Sequence, residues 1–200
     1  MAIFFKINMT KNFYTIGFVL FLITMAIFLG LYFFGMNTDY FNNSLLINAF
    51  ILPVIYLGGA YVSVNSAGKA GIKMGFRDAF GRAFKPMFIG GLLSIITMFL
   101  FLNFADPIAK DLLNFQYIER QKTELEAEYA KASQFVKTPE EKTELDTKYK
   151  QRKESFAPKM IEGKDMFSFR QFAYYFAAVL VFYVILSTFF ATFFRSRSEL

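Results

Sequence analysis

The chain has 200 residues, 55% of them hydrophobic and 20% aromatic, with 29 phenylalanines and a formal net charge of +6. It contains no histidine and no cysteine. That excludes an imidazole base, a thiolate nucleophile, the ordinary zinc, haem and iron–sulfur ligand sets, and any disulfide. Such a composition is that of a membrane protein.

Four segments are free of Asp, Glu, Lys and Arg: 13–35, 45–64, 87–104 and 172–194, with 23, 20, 18 and 23 residues. At about 1.5 Å of rise per residue each is long enough for a hydrocarbon core of about 30 Å. Four uncharged runs of this length could not all be clothed as core helices of a soluble protein of this size. The sequence therefore predicts an all-α polytopic protein with four transmembrane helices. The first segment follows Lys6 and Lys11, but it far exceeds a signal-peptide core, and Gly35-Met36-Asn37 offers no small-x-small cleavage site. It is expected to stay uncleaved.

In the second segment, Pro53 removes a backbone hydrogen bond and Gly58 and Gly59 follow, so a kink or close packing is expected there. Gly59 and Ser63 also have the small-xxx-small spacing of helix contacts. The next connection, 65–86, carries Lys69, Lys73, Arg77, Arg82 and Lys85 against Asp78 alone. Ile72, Phe76, Phe80 and Phe84 recur every four residues, which predicts a basic amphipathic helix. Such a helix either docks a partner or anionic lipid, or caps the bundle and fixes its topology; Asp78 and Arg82 have the spacing of a surface pair. In the third segment Gly90 and Gly91 again suit close packing.

The third connection, 105–171, balances 13 basic residues with 13 acidic ones. Asp106-Pro107 is an N-cap acceptor followed by proline at the first helical position, so the third span should break there and a new helix begin. Ile108, Leu112, Phe115, Ile118, Leu125, Tyr129 and Val136 form one helical stripe, and Leu145, Tyr149 and Phe156 a second. Thr138 and Glu141 have capping-box spacing, as do Ser168 and Gln171 just before the last span. The segment thus reads as a helical hairpin turning near Lys137. Three divisions result: 1–104 with three spans and the basic connection 65–86, the hairpin 105–171, and 172–200 with the fourth span and a short tail.

Basic residues cluster at 1–12 (Lys6, Lys11), at 65–86 and after the last span (Arg195, Arg197), while 36–44 has none. The positive-inside rule puts both termini and the 65–86 connection in the cytoplasm and residues 105–171 outside it, since long loops translocate largely regardless of charge. The same asymmetry accounts for the net charge of +6 without nucleic acid as a partner.

No span contains an ionisable residue of the kind that marks proton relays and ion paths. Uncharged polar groups remain, of which Asn48 and Asn103 stand out because an amide facing lipid would go unsatisfied. The hairpin acids Glu119, Glu124, Glu126 and Glu128 alternate with Arg120, Lys122 and Lys131, as on a solvated charged face. Gly68-Lys69-Ala70-Gly71 lacks the spacing and the preceding strand of a phosphate loop. No cofactor and no metal site are expected.

The stretch Gly71-Ile72-Lys73-Met74-Gly75-Phe76-Arg77-Asp78-Ala79-Phe80 resembles the glycine then Phe-x-acid-Ala-Phe pattern of the domain of unknown function 4199 family, small four-span membrane proteins typical of Bacteroidota. Gly90-Gly91, Asp106-Pro107 and the long helical insertion before the final span fit it too, so the resemblance covers nearly the whole chain. It implies a protein of the bacterial inner membrane, a periplasmic hairpin and no assigned activity. It also brings in an association with membrane-bound sugar transferases of the polyprenyl-phosphate type, which is not a mechanism.

Two functions of different class follow. The first is a non-enzymatic accessory or scaffold subunit that positions a membrane-associated partner, using the face of Ile72, Phe76, Phe80 and Phe84 with Lys73, Arg77, Arg82 and Lys85 inside and the Ile108 to Phe156 hairpin outside. The alternative is a protein that binds or passes a lipid or neutral solute, with Asn48, Pro53, Gly58, Gly59 and Asn103 lining the space.

Overall fold

The structure is a computed structural model that describes residues 12–195 except 38, 158, 159, 161 and 162. Lys6, Lys11 and Arg197, used above for orientation, lie outside the described residues. Among the described residues six long helices follow in order: α1 (Phe13–Gly35), α2 (Tyr40–Lys69), α3 (Phe76–Ala105), α4 (Pro107–Ser133), α5 (Pro139–Glu154) and α6 (Phe169–Phe194). Helices α1, α2, α3 and α6 are each long and apolar enough to cross a membrane, and they contain the four uncharged segments. α4 and α5 form the hairpin.

α3 lies at the centre, packed most extensively on α1 and α6 and also on α2. In lipid there is no hydrophobic drive to bring helices together, so packing rests on close approach and polar pairing. Small residues provide the approach: Ala60, Ala79, Ala83 and Ala191 are fully buried between helices. At Gly90 a Cβ would stand 2.8 Å from Leu20 Cβ and 2.9 Å from the Gly17 carbonyl oxygen, so α1 and α3 touch backbone to backbone. Gly91 is capped by the Tyr183 ring, and Gly59 by Leu20. Polar pairing adds specificity. The Thr24 hydroxyl bonds the Leu20 carbonyl at 2.8 Å and lies 3.2 Å from Tyr56 Oη, whose ring stacks on Tyr183 with centroids 5.4 Å apart. Ser63 Oγ donates to the Arg82 carbonyl at 2.7 Å and ties α2 to α3.

Two turns of π-helix interrupt the spans, Ile47–Ile51 in α2 and Phe101–Ala105 at the end of α3. Each precedes a proline by one residue. Leu52 N–H, just before Pro53, bonds Ile47 O, and Asp106 N–H, just before Pro107, bonds Phe101 O. Proline crowds the residue before it and offers no amide of its own, so the preceding turn widens to find a donor five residues on. The expected irregularity at Pro53 thus lies one turn upstream of it.

The basic connection differs from the amphipathic helix predicted from Ile72. α2 ends in a Schellman arrangement, Gly71 N–H to Gly68 O and Ile72 N–H to Ala67 O, with Gly71 at φ 73° in the left-handed region that suits glycine. Ile72 therefore belongs to a turn, Met74 plugs the core at 2% exposure, and α3 starts at Phe76. The expected surface helix is the beginning of α3, drawn into the bundle by Ala79 and Ala83. Two smaller expectations also change. Ser168 is the N-cap of α6, but its side chain makes no capping bond. No Asp78–Arg82 salt bridge forms: Asp78, in the first turn of α3, is turned back toward Gly75, where the helix dipole favours a carboxylate.

Candidate functional site

The clearest built feature is the root of the α4–α5 arm, where it leaves the bundle. Asp106 caps α4 as its sequence predicts, accepting from Ile108 N–H at 3.1 Å and Ala109 N–H at 3.2 Å. Its second oxygen accepts from the Tyr32 hydroxyl at 2.7 Å, which fastens the cap to the end of α1. On the other side Lys110 Nζ lies 3.2 Å from Asp165 Oδ2 and 3.3 Å from Asn103 Oδ1. Asn114 donates to Asp165 at 3.0 Å and accepts from Met166 N–H at 3.0 Å. Asn103 Nδ2 donates to the Phe99 and Phe167 carbonyls, each at 3.0 Å, so the amide that the sequence singled out is satisfied between α3 and the segment leading to α6. Gln116 accepts from Phe41 N–H and donates to Asn37 O, and Arg120 donates to Asn42, which clamps α4 to the start of α2.

Beneath these bonds an apolar layer of Tyr40, Leu102, Ala109, Leu113 and Phe172 is buried. This shifts the predicted stripe. Ala109 and Leu113 face the bundle while Ile108 and Phe115 are exposed, because Pro107 and the π turn before it set the helix's rotation.

Beyond Arg120, α4 runs on for about 20 Å at 1.5 Å per residue. There it carries α5, whose capping box between Thr138 and Glu141 is complete and none of whose residues is buried. Tyr129 stacks on Tyr149 with centroids 4.3 Å apart and donates to Asp146, and Arg152 pairs with Glu128 across the two helices. A shallow cleft of about 250 Å³ lies between them, floored by Leu125, Tyr149 and Phe156. The acids Glu119, Glu124 and Glu128 are paired with Lys122, Arg120 and Arg152 at the surface. Among the described residues no three acid, His or Cys side chains are grouped to hold a metal ion.

The remaining predicted residues do not share one place. Phe80 stacks on Phe84 and Phe84 on Phe88, and Phe80 and Phe84 pack against the core, leaving Ile72 and Phe76 exposed. Lys73, Arg77 and Lys85 are exposed around them, with Arg82 half-buried. Asn48 is exposed on α2 and donates to Ser44 O in its own helix, Gly58 meets nothing within 4 Å, and Gly59 is packed on Leu20. Lys110, Asn114, Gln116 and Asp165 were not singled out by sequence, because the residues they join are up to 79 positions apart and share no local spacing.

Two carboxyls of the root are held in the ionised form by their partners. Burial alone would raise the Asp165 carboxyl, but the Asn114 amide, the Phe167 N–H and the Lys110 ammonium outweigh it and hold it below the ordinary Asp value. The Tyr32 hydroxyl, with the Ala109 and Ile108 amides, does the same for Asp106. A depressed carboxyl contributes its full stability above the unfolded value of about 3.9 and loses it as pH falls through the lower folded value. The protection factor at 165–167, which is exchange corrected for its own intrinsic pH dependence, is therefore expected to be constant down to about pH 4 and to fall below it, before the spans lose protection.

No curated protein and no solved structure matches this chain. The family model described as protein of unknown function (DUF4199) matches residues 15–196, and the chain, with its four helices long and apolar enough to cross a membrane, belongs to that family.

Proposed function

We propose that this protein is a non-enzymatic accessory or scaffold subunit of a bacterial inner membrane, which holds a membrane-associated partner by its projecting arm. In this reading the basic end and both termini face the cytoplasm and residues 105–171 lie in the periplasm. The observation that carries it is the contrast within the arm. Its root is fixed to α1, to α2 and to the segment leading to α6 by hydrogen bonds and an ion pair, while α5 buries no residue of its own. A rigid mount bearing an uncovered helix pair suits positioning a second molecule. The exposed Phe115, Phe135 and Met160 add apolar surface that a partner would cover. The reading as a lipid or solute passage has less support, since Asn48, Gly58, Gly59 and Asn103 do not line one space.

The test replaces 121–157 by a short Gly–Ser linker, which spares the root. The full chain, crosslinked in its own membranes, is expected to capture a stoichiometric partner. The armless chain should insert equally well and lose that partner. Retention of the partner by the armless chain, or recovery of the full chain with lipid alone, would overturn the proposal.

A further inference from the structure

At the end of the bundle away from the arm, the basic rim has a single acid of its own to answer five cations. Lys69, Lys73, Arg77, Arg82 and Lys85 stand against Asp78 alone, and none of the five makes a salt bridge among the described residues. Lys85 lies over the Phe13 ring, 4.8 Å from its centroid. The arm of the same chain behaves differently. It interleaves its charges and pairs Arg120 with Glu124, Lys122 with Glu119, Lys148 with Glu144 and Arg152 with Glu128. A surface meant for water can be neutralised from within, as the arm is; the rim leaves that to an external anion.

The rim's position says which anion. It surrounds the ends of α2 and α3, where membrane-crossing helices reach the headgroup layer. Within it Ile72 is 42% and Phe76 44% exposed, both left outside while Met74 of the same turn is buried. Apolar side chains ringed by unpaired cations are the pattern of a surface that dips into the acyl boundary and collects headgroup phosphates. We infer that this rim binds anionic phospholipid, with Lys69, Lys73 and Arg77 on the phosphates and Ile72 and Phe76 inserted beside them.

The chain has no tryptophan, so Phe76→Trp places a single, selectively excitable indole at the exposed edge of the rim. The protein is assembled in nanodiscs of equimolar phosphatidylcholine and phosphatidylglycerol, with bromine quenchers on one lipid or the other. Brominated phosphatidylglycerol should quench more strongly. Its preference should fall by up to roughly fivefold for each cation removed, in Lys73→Gln and Arg77→Gln, and stay unchanged in Lys148→Gln on the arm. Added salt should weaken it, and this comparison leaves every rim cation in place, so it decides the matter even where a Gln variant fails to fold. Equal quenching by the two lipids would overturn the inference. So would crosslinking from position 76 to an acidic polypeptide in native membranes, which would mean that the rim serves a protein.

Discussion

Gly90→Leu is expected to unfold the bundle in mild detergent under conditions where the unsubstituted protein stays folded. Even the first added atom would stand 2.9 Å from the Gly17 carbonyl oxygen and 2.8 Å from Leu20 Cβ. One obstacle is backbone and the other is the stem of a side chain that is 3% exposed, so neither can swing aside. Relief requires α1 and α3 to separate, and these helices have one of the most extensive contacts in the molecule. Overpacking of this kind costs about 3 kcal/mol, the upper part of its usual range, because the whole helix must move. Gly58→Leu is the matched control. It adds the same side chain to a helical glycine with nothing within 4 Å, so it should leave the midpoint unchanged or raise it slightly through helix propensity. Thermal unfolding followed by circular dichroism separates the two; equal losses would mean that the α1–α3 approach is looser than the structure shows.

Asp165→Ala should loosen the arm's mount and spare the membrane core. Three donors converge on this carboxylate: Phe167 N–H at 2.8 Å, Asn114 Nδ2 at 3.0 Å and Lys110 Nζ at 3.2 Å. Removing it leaves an ammonium whose side chain is 19% exposed without its counter-ion and an amide without its acceptor. The cost is about 2 kcal/mol, in the middle of the range for buried groups left unsatisfied. Asp165→Asn keeps an acceptor for Phe167 and should cost less. The measurement is amide exchange with limited proteolysis: residues 163–168 should exchange faster and become cleavable while α1 to α3 keep their protection. A uniform loss of protection would show that the root and the bundle unfold as one unit.

What the sequence discloses divides along the distance over which its signals act. The four spans are legible because uncharged runs of 18 to 23 residues have few alternatives. The caps at Asp106 and Thr138 are legible because acceptor, proline and glutamate lie within one turn. The beginning of α3 misleads, because Ile72, Phe76, Phe80 and Phe84 have perfect helical spacing. Spacing cannot disclose that Gly71 ends a Schellman turn and that Ala79 and Ala83 fit against neighbouring helices. The arm's root is silent in sequence for the same reason. Tyr32 with Asp106 and Lys110 with Asp165 become pairs only once the bundle has brought distant turns together.

The π turn at Phe101–Ala105 has a further meaning for the arm. A wide turn of this kind holds a residue more than a regular one, and one residue of an α-helix amounts to about 100° of rotation. The turn is thus a phase shifter between membrane and arm: α3 keeps the azimuth that its packing on α1 and α6 demands, while α4 starts at another. The direction in which the arm leaves the bundle is set by this surplus residue together with the non-helical Asp106 that follows it. Insertions or deletions within 101–105 would re-aim the arm toward a different neighbour without altering any side chain on it.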